Sequence, residues 1–213
     1  YISKSLTLAG GYSNTLASWV GAGDPAASPT TLDAVQAGRV LYITGGIDVA
    51  IQNLRLTGGS ASAGGGVYNN VARTTISNTL IYSNSAVSGG GAWNQSAGRL
   101  TLDASAVVSN TATADGGGLL NIDSGSVVTL TNGSRAQANT AGSNGGGLWN
   151  ASAGRVLIEA SMVASNTAGV RGGGLDRVGA TDRGPRRIGR EVERIAAERD
   201  GRDHCVVDDR VLG

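Results

Sequence analysis

The chain has no phenylalanine, one cysteine, one methionine, one histidine and three prolines in 213 residues, and aromatic side chains make up 4% of it. Each scarcity excludes something. With so few large aromatic side chains, an ordinary core built around a handful of bulky residues is out of reach. A single cysteine, Cys205, rules out a disulfide framework or a thiolate metal cage within this chain. No apolar run of about 18 residues occurs, so no membrane-spanning helix is expected. A net charge of +1 leaves no electrostatic footprint for nucleic acid as a partner. The chain opens on Tyr1 and its one methionine is Met162, so the native start, and any signal peptide with it, is expected to lie upstream.

What the chain has in quantity is glycine, 35 residues of it, unevenly placed. Through Leu175 it holds 30 of the glycines, every serine and every asparagine, with 8 basic and 7 acidic residues. Residues 176–213 contain no serine or asparagine and carry 9 basic and 9 acidic residues in 38 positions. Two kinds of sequence therefore meet near Leu175. The second admits three readings: a helical cap, since 190–199 is rich in helix formers with Glu and Arg at assisting spacings; a disordered linker; or the product of a reading-frame error. We favour the last, because the break falls inside a repeat unit, and translating the encoding DNA in the other two frames past Leu175 tests it.

The first segment repeats. Gly-Gly-Gly begins at Gly64, Gly89, Gly116, Gly145 and Gly172, at intervals of 25, 27, 29 and 27. Five positions on from the first glycine stand Asn69, Asn94, Asn121 and Asn150, with Arg177 in the fifth copy. A second asparagine recurs at Asn84, Asn110, Asn139 and Asn166, at intervals of 26, 29 and 27. Between these landmarks, runs such as Arg99-Leu-Thr-Leu-Asp103 and Arg155-Val-Leu-Ile-Glu159 alternate with period two, which predicts strands with Leu100, Leu102, Val156 and Ile158 inward. Val67, Ala92, Leu119, Leu148 and Leu175 follow the triplets as inward residues, and Ile81, Val107, Ala136 and Val163 do so in a third strand.

Three short strands per 25–29 residues, separated by Gly, Asn, Ser and Thr, predict an all-β fold. It is a single-stranded, right-handed parallel β-helix whose coils bury little alone and gain their core by stacking. Glycine supplies sharp corners, and asparagine at equivalent corners can bond backbone and stack amide on amide. Leu6–Gly11, Leu41–Gly46 and Leu54–Gly59 share a strand-then-turn form and predict earlier coils, with a long loop over about residues 12–30. The triplets run into strands and no Gly-Lys-Ser/Thr follows, which argues against nucleotide binding.

On these residues the chain resembles a family. Gly-Gly-Gly followed by Leu, Val or Ala, with Ile81-x-x-Asn84, Val107-x-x-Asn110, Ala136-x-x-Asn139 and Val163-x-x-Asn166, is similar to the GGA[ILV] and FxxN motifs of polymorphic outer-membrane protein repeats. The likeness extends to right-handed parallel β-helix repeat proteins of bacterial surfaces. It implies an extracellular or cell-surface location and a structural or adhesive module; it defines no catalytic set.

Candidate functional residues fall into three groups. Asp103 and Glu159 are outward carboxylates two coils apart. Two coil rises would separate them by about 9 to 10 Å, the upper edge used by inverting glycosidases, although solvated carboxylates on a strand face are commoner. They keep a polysaccharide-active enzyme, pectate-lyase-like or a glycoside hydrolase, as the alternative. His204 and Cys205 are adjacent in the charged tail, and a catalytic or metal role would need further partners there. Tyr68, Trp93, Leu120 and Trp149 face outward in successive coils, and an aromatic ladder suits stacking on sugar rings, with Asn70 and Gln95 beside it as polar contacts. The partner this implies is a polysaccharide or cell-surface glycan. No metal and no cofactor are expected, and an uncapped solenoid end is expected to favour end-to-end self-association.

Overall fold

A computed structural model describes residues 1–13 and 23–177. Among these residues every regular element is a strand, 23 in all, and every strand pairing is parallel. The chain winds into a β-solenoid whose successive coils add one strand to each of four sheets, three of them six strands deep and the fourth five. No helix among the described residues is long and apolar enough to cross a membrane.

The first sheet collects the strands after the glycine triplets, Val67–Asn70, Ala92–Gln95, Leu119–Asn121, Leu148–Asn150 and Leu175–Arg177, with Leu41–Thr44 at its other end. The second holds the alternating strands, among them Arg73–Ser77, Arg99–Asp103, Val127–Thr131 and Arg155–Ile158. The third contains Leu80–Tyr82, Ala106–Val108, Arg135–Gln137 and Met162–Ala164. Register runs straight through the coils: Ile51, Ile76, Leu102, Leu130 and Ile158 are successive partners and all are buried. Burying such a side chain contributes about 1.5 to 3 kcal/mol, and one column per inward position supplies a continuous core without phenylalanine.

A fourth strand per coil departs from the three expected. Ser60–Ala63, Ser85–Ser88, Thr111–Ala112, Thr140–Ala141 and Thr167–Ala168 pair as a sheet of their own, with Ala86, Ala112 and Ala141 buried. A two-residue strand is too short to show an alternation, so its Thr-Ala pair reads as turn. The leading segment also arranges itself differently from its sequence form: Leu6–Ala9, Leu41–Thr44 and Leu54–Thr57 join the second, first and third sheets respectively. Similar strand-then-glycine spelling therefore marks three sides of the solenoid there, and not one side repeated. The loop expected over about residues 12–30 lies in part outside the described residues; beside it the Asp24 amide donates to the Gly11 carbonyl at 2.6 Å and the Gly11 amide to Thr30 Oγ1 at 3.1 Å.

Each of the first four triplets fills a corner where three separate constraints meet. In Gly89-Gly90-Gly91, the first has φ +65°, a conformation that costs an L-residue energy. A Cβ on the second would lie 2.5 Å from the Gly117 carbonyl oxygen, and one on the third 2.5 Å from that of Gly118. The triplets of neighbouring coils touch backbone to backbone, and the Gly90 and Gly91 amides donate to Gly116 and Gly117 across that seam. This use of glycine is structural and leaves no cradle for a phosphate.

Candidate functional site

Side-chain amides form two internal ladders. Asn69, Asn94, Asn121 and Asn150, all buried, donate in sequence from Nδ2 to the next Oδ1 at 2.7, 2.8 and 2.7 Å. Asn84, Asn110, Asn139 and Asn166 do the same at 3.0 Å per step, and each Oδ1 from Asn110 onward also accepts the backbone amide of the preceding ladder residue. The remaining amide protons go to corner carbonyls, as from Asn94 to Gly98 and from Asn110 to Ile81. Both rows of asparagine read from the sequence are thus brought together, inside the wall, where they satisfy corners that water cannot reach.

A third ladder escapes the sequence reading. The Leu54 amide donates to Thr79 Oγ1, Thr79 to Ser105 Oγ, and Ser105 to Ser134 Oγ at 3.3, 3.1 and 3.0 Å, at buried positions. Thr79, Ser105, Ser134 and Ser161 recur at intervals of 26, 29 and 27, the same beat as the second asparagine row. That beat was the available signal, masked by serine and threonine being common throughout.

On the outer side of the first sheet Tyr42, Tyr68, Trp93, Leu120 and Trp149 are register partners in successive coils. The stack is longer than Tyr68, Trp93 and Trp149 alone. Tyr1 stacks on Tyr42 with centroids 5.3 Å apart, Tyr42 on Tyr68 at 5.0 Å, and Tyr68 on Trp93 at 6.1 Å. The Arg39 guanidinium lies 5.0 Å from the Tyr42 centroid and 4.7 Å from that of Tyr68, within cation–π range of both. Leu120, between the two tryptophans, is 1% exposed and interrupts the surface row. From Tyr42 to Trp93 the rings therefore cover one another's facing sides, whereas Tyr1 at the end of the stack is exposed. The flanking amides are engaged too: Trp93 Nε1 donates to Gln95 Oε1 at 2.8 Å, Gln95 Nε2 to Asn70 Oδ1 at 3.3 Å, and Asn70 Nδ2 to Thr44 Oγ1 at 3.2 Å.

This packing changes one titration. Burial above all, then the Tyr42 phenol, with a smaller push from Asp123 and an opposing pull from Arg39, holds the Tyr68 hydroxyl above the usual phenol range. A phenol is neutral when protonated, so a raised folded value gives stability that is complete below the unfolded value of about 10. It is lost as pH rises through the folded one. In denaturant titrations the midpoint of the wild-type chain is expected to fall above that pH more steeply than that of Tyr68→Phe; equal slopes would remove the effect.

Asp103 and Glu159 stand two coils apart along the second sheet, with Thr131 in the coil between them. Asp103 pairs in register with Thr131, and its Oδ1 accepts the Asn132 amide at 2.6 Å. Glu159 lies exposed one coil further, its backbone amide donating to the Leu130 carbonyl. No group of three or more His, Cys, Asp or Glu that could hold a metal ion occurs among the described residues. His204 and Cys205 lie outside the described residues. Searches of protein-family models, curated proteins and solved structures find no match to this chain.

Proposed function

We propose that the chain is a structural and adhesive module of a bacterial surface or secreted protein, one that holds a polysaccharide along its outer columns. The observation that carries this reading is the continuous register of the parallel sheets, which repeats outward positions at the strand spacing of about 4.8 Å. A periodic surface suits a periodic ligand. The buried asparagine rows are committed to the ladders, and the Asp103 carboxylate already accepts the Asn132 side-chain amide, which favours binding over hydrolysis. The outward aromatic side chains Tyr68, Trp93 and Trp149 are the first contact surface to test.

A glycan array combined with product analysis separates the adhesive reading from a polysaccharide-active enzyme. Binding without cleavage is expected, and shortened glycans in the product analysis would favour the enzyme. Trp93→Ala with Trp149→Ala is expected to weaken retention of the bound glycan several-fold, as loss of aromatic contact does. Unchanged retention would take the aromatic row out of the binding surface.

A further inference from the structure

The outer face of the second sheet carries an arrangement that none of the ladders explains. Asp48, Arg73, Arg99, Val127 and Arg155 are register partners in successive coils. Arg73 and Arg99 therefore stand side by side at about 4.8 Å, and like charges directly opposite one another destabilise a sheet. Among the described residues one ion pair answers them: Asp48 Oδ1 lies 3.9 Å from the Arg73 guanidinium, with both side chains more than two-thirds exposed. So long and wet a pair holds weakly, and the register neighbours of Arg99 are Arg73 and Val127. The two guanidinium groups border a shallow trough of about 600 Å³ that also takes in Thr7, Thr75 and Thr101. Thr75 and Thr101 are themselves register partners, forming a hydroxyl column next to the arginine column.

We propose that this trough binds an anionic polysaccharide lying along the solenoid axis. Its carboxylates or sulfates would meet Arg99 and Arg73 in consecutive coils, and its hydroxyls the threonine column. A guanidinium offers paired donors that match either oxyanion, and an anion between the two arginines relieves their repulsion. Nucleic acid fits less well. Two arginines opposed by one carboxylate fall short of the many phosphate contacts such binding uses, and no aromatic side chain lines the trough on which a base could stack. The inference shares with the adhesive reading only the choice of a glycan; it concerns another sheet and other residues, so the two fail separately.

The test is equilibrium binding of the full chain at low ionic strength to heparin, polygalacturonate, neutral dextran and duplex DNA. At least one of the two anionic polysaccharides is expected to bind and dextran not, with heparin alone assigning sulfate and polygalacturonate alone assigning carboxylate. Arg73→Gln with Arg99→Gln is expected to weaken binding about tenfold, and Asp48→Asn to tighten it about threefold by removing the competing carboxylate. Arg55→Gln, at an exposed arginine of the third sheet, is expected to leave it unchanged. These side chains are outward and Arg73 and Arg99 repel each other, so unfolding midpoints are expected not to fall below the wild-type value, which excludes misfolding as the cause. The proposal is overturned if the double arginine variant binds like wild type or if dextran binds equally well. The same holds if DNA matches the better glycan, if Asp48→Asn weakens binding, or if Arg55→Gln matches the arginine loss.

Discussion

Gly90→Ala is expected to destabilise the solenoid by about 3 to 5 kcal/mol. The added methyl would sit 2.4 Å from the Thr111 carbonyl oxygen and 2.5 Å from that of Gly117, both main-chain atoms of the next coil. A flexible side chain could swing away from such a clash; a carbonyl fixed in a corner cannot. Relief requires lifting one coil off the other, which lengthens the hydrogen bonds from the Gly90 amide to Gly116 and from the Gly91 amide to Gly117. Gly46→Ala provides the contrast. Nothing lies within 4 Å of its Cβ position, so restricting the unfolded chain is expected to raise stability by about 0.4 to 1 kcal/mol. Guanidinium unfolding of the two variants reads the difference directly. If they agree to within about 1 kcal/mol, close approach of the coils is not what these glycines serve.

The second large effect concerns the amide stack. Asn110 Oδ1 accepts both the backbone amide and Nδ2 of Asn84, each at 3.0 Å, while its own Nδ2 donates to the Ile81 carbonyl and to Asn139 Oδ1. Asn110→Ala strands several of these groups where water cannot reach them, at a penalty of about 1 to 3 kcal/mol for each orphaned group; a total of about 3 to 4 kcal/mol is expected after relaxation. Asn110→Asp keeps the shape and the acceptor but aims a carboxylate at two other acceptors. The carboxyl is then held protonated to higher pH in the folded chain than in the unfolded one. Its deficit is accordingly expected to shrink as pH falls toward the ordinary carboxyl value, whereas that of Asn110→Ala stays flat. A deficit under about 1 kcal/mol for Asn110→Ala would mean that water or movement of the wall satisfies the stranded groups.

How much of this could be read from residues alone follows from how each feature repeats. The glycine triplets and both asparagine rows recur at a fixed beat, so the all-β solenoid, its coil length and inward residues such as Leu102 and Ile158 were legible. The hydroxyl ladder of Thr79, Ser105 and Ser134 keeps the same beat, yet serine and threonine are so abundant that it does not stand out. The fourth sheet was hidden because three of its five strands, Thr111–Ala112, Thr140–Ala141 and Thr167–Ala168, are two residues long and cannot show an alternation. At the candidate surface, the outward placing of Tyr68, Trp93 and Trp149 was legible from alternation. Their stacking on Tyr42 and Tyr1 was not, because those residues reach the same column from irregular coils. Arg73 and Arg99 were visible as exposed arginines; only register made them neighbours.

The direction of the inter-coil hydrogen bonds has a mechanical consequence. Strands lie across the solenoid axis, so the bonds that join coils run along it, and tension applied between the two ends loads one coil boundary before the next. A coil of 25 to 29 residues that peels away pays out about 90 Å of extended chain while its neighbours keep their own pairings. Under load the protein would lengthen like thread leaving a spool, turn by turn, and the unspooled part would carry tension while the rest of the column kept its grip.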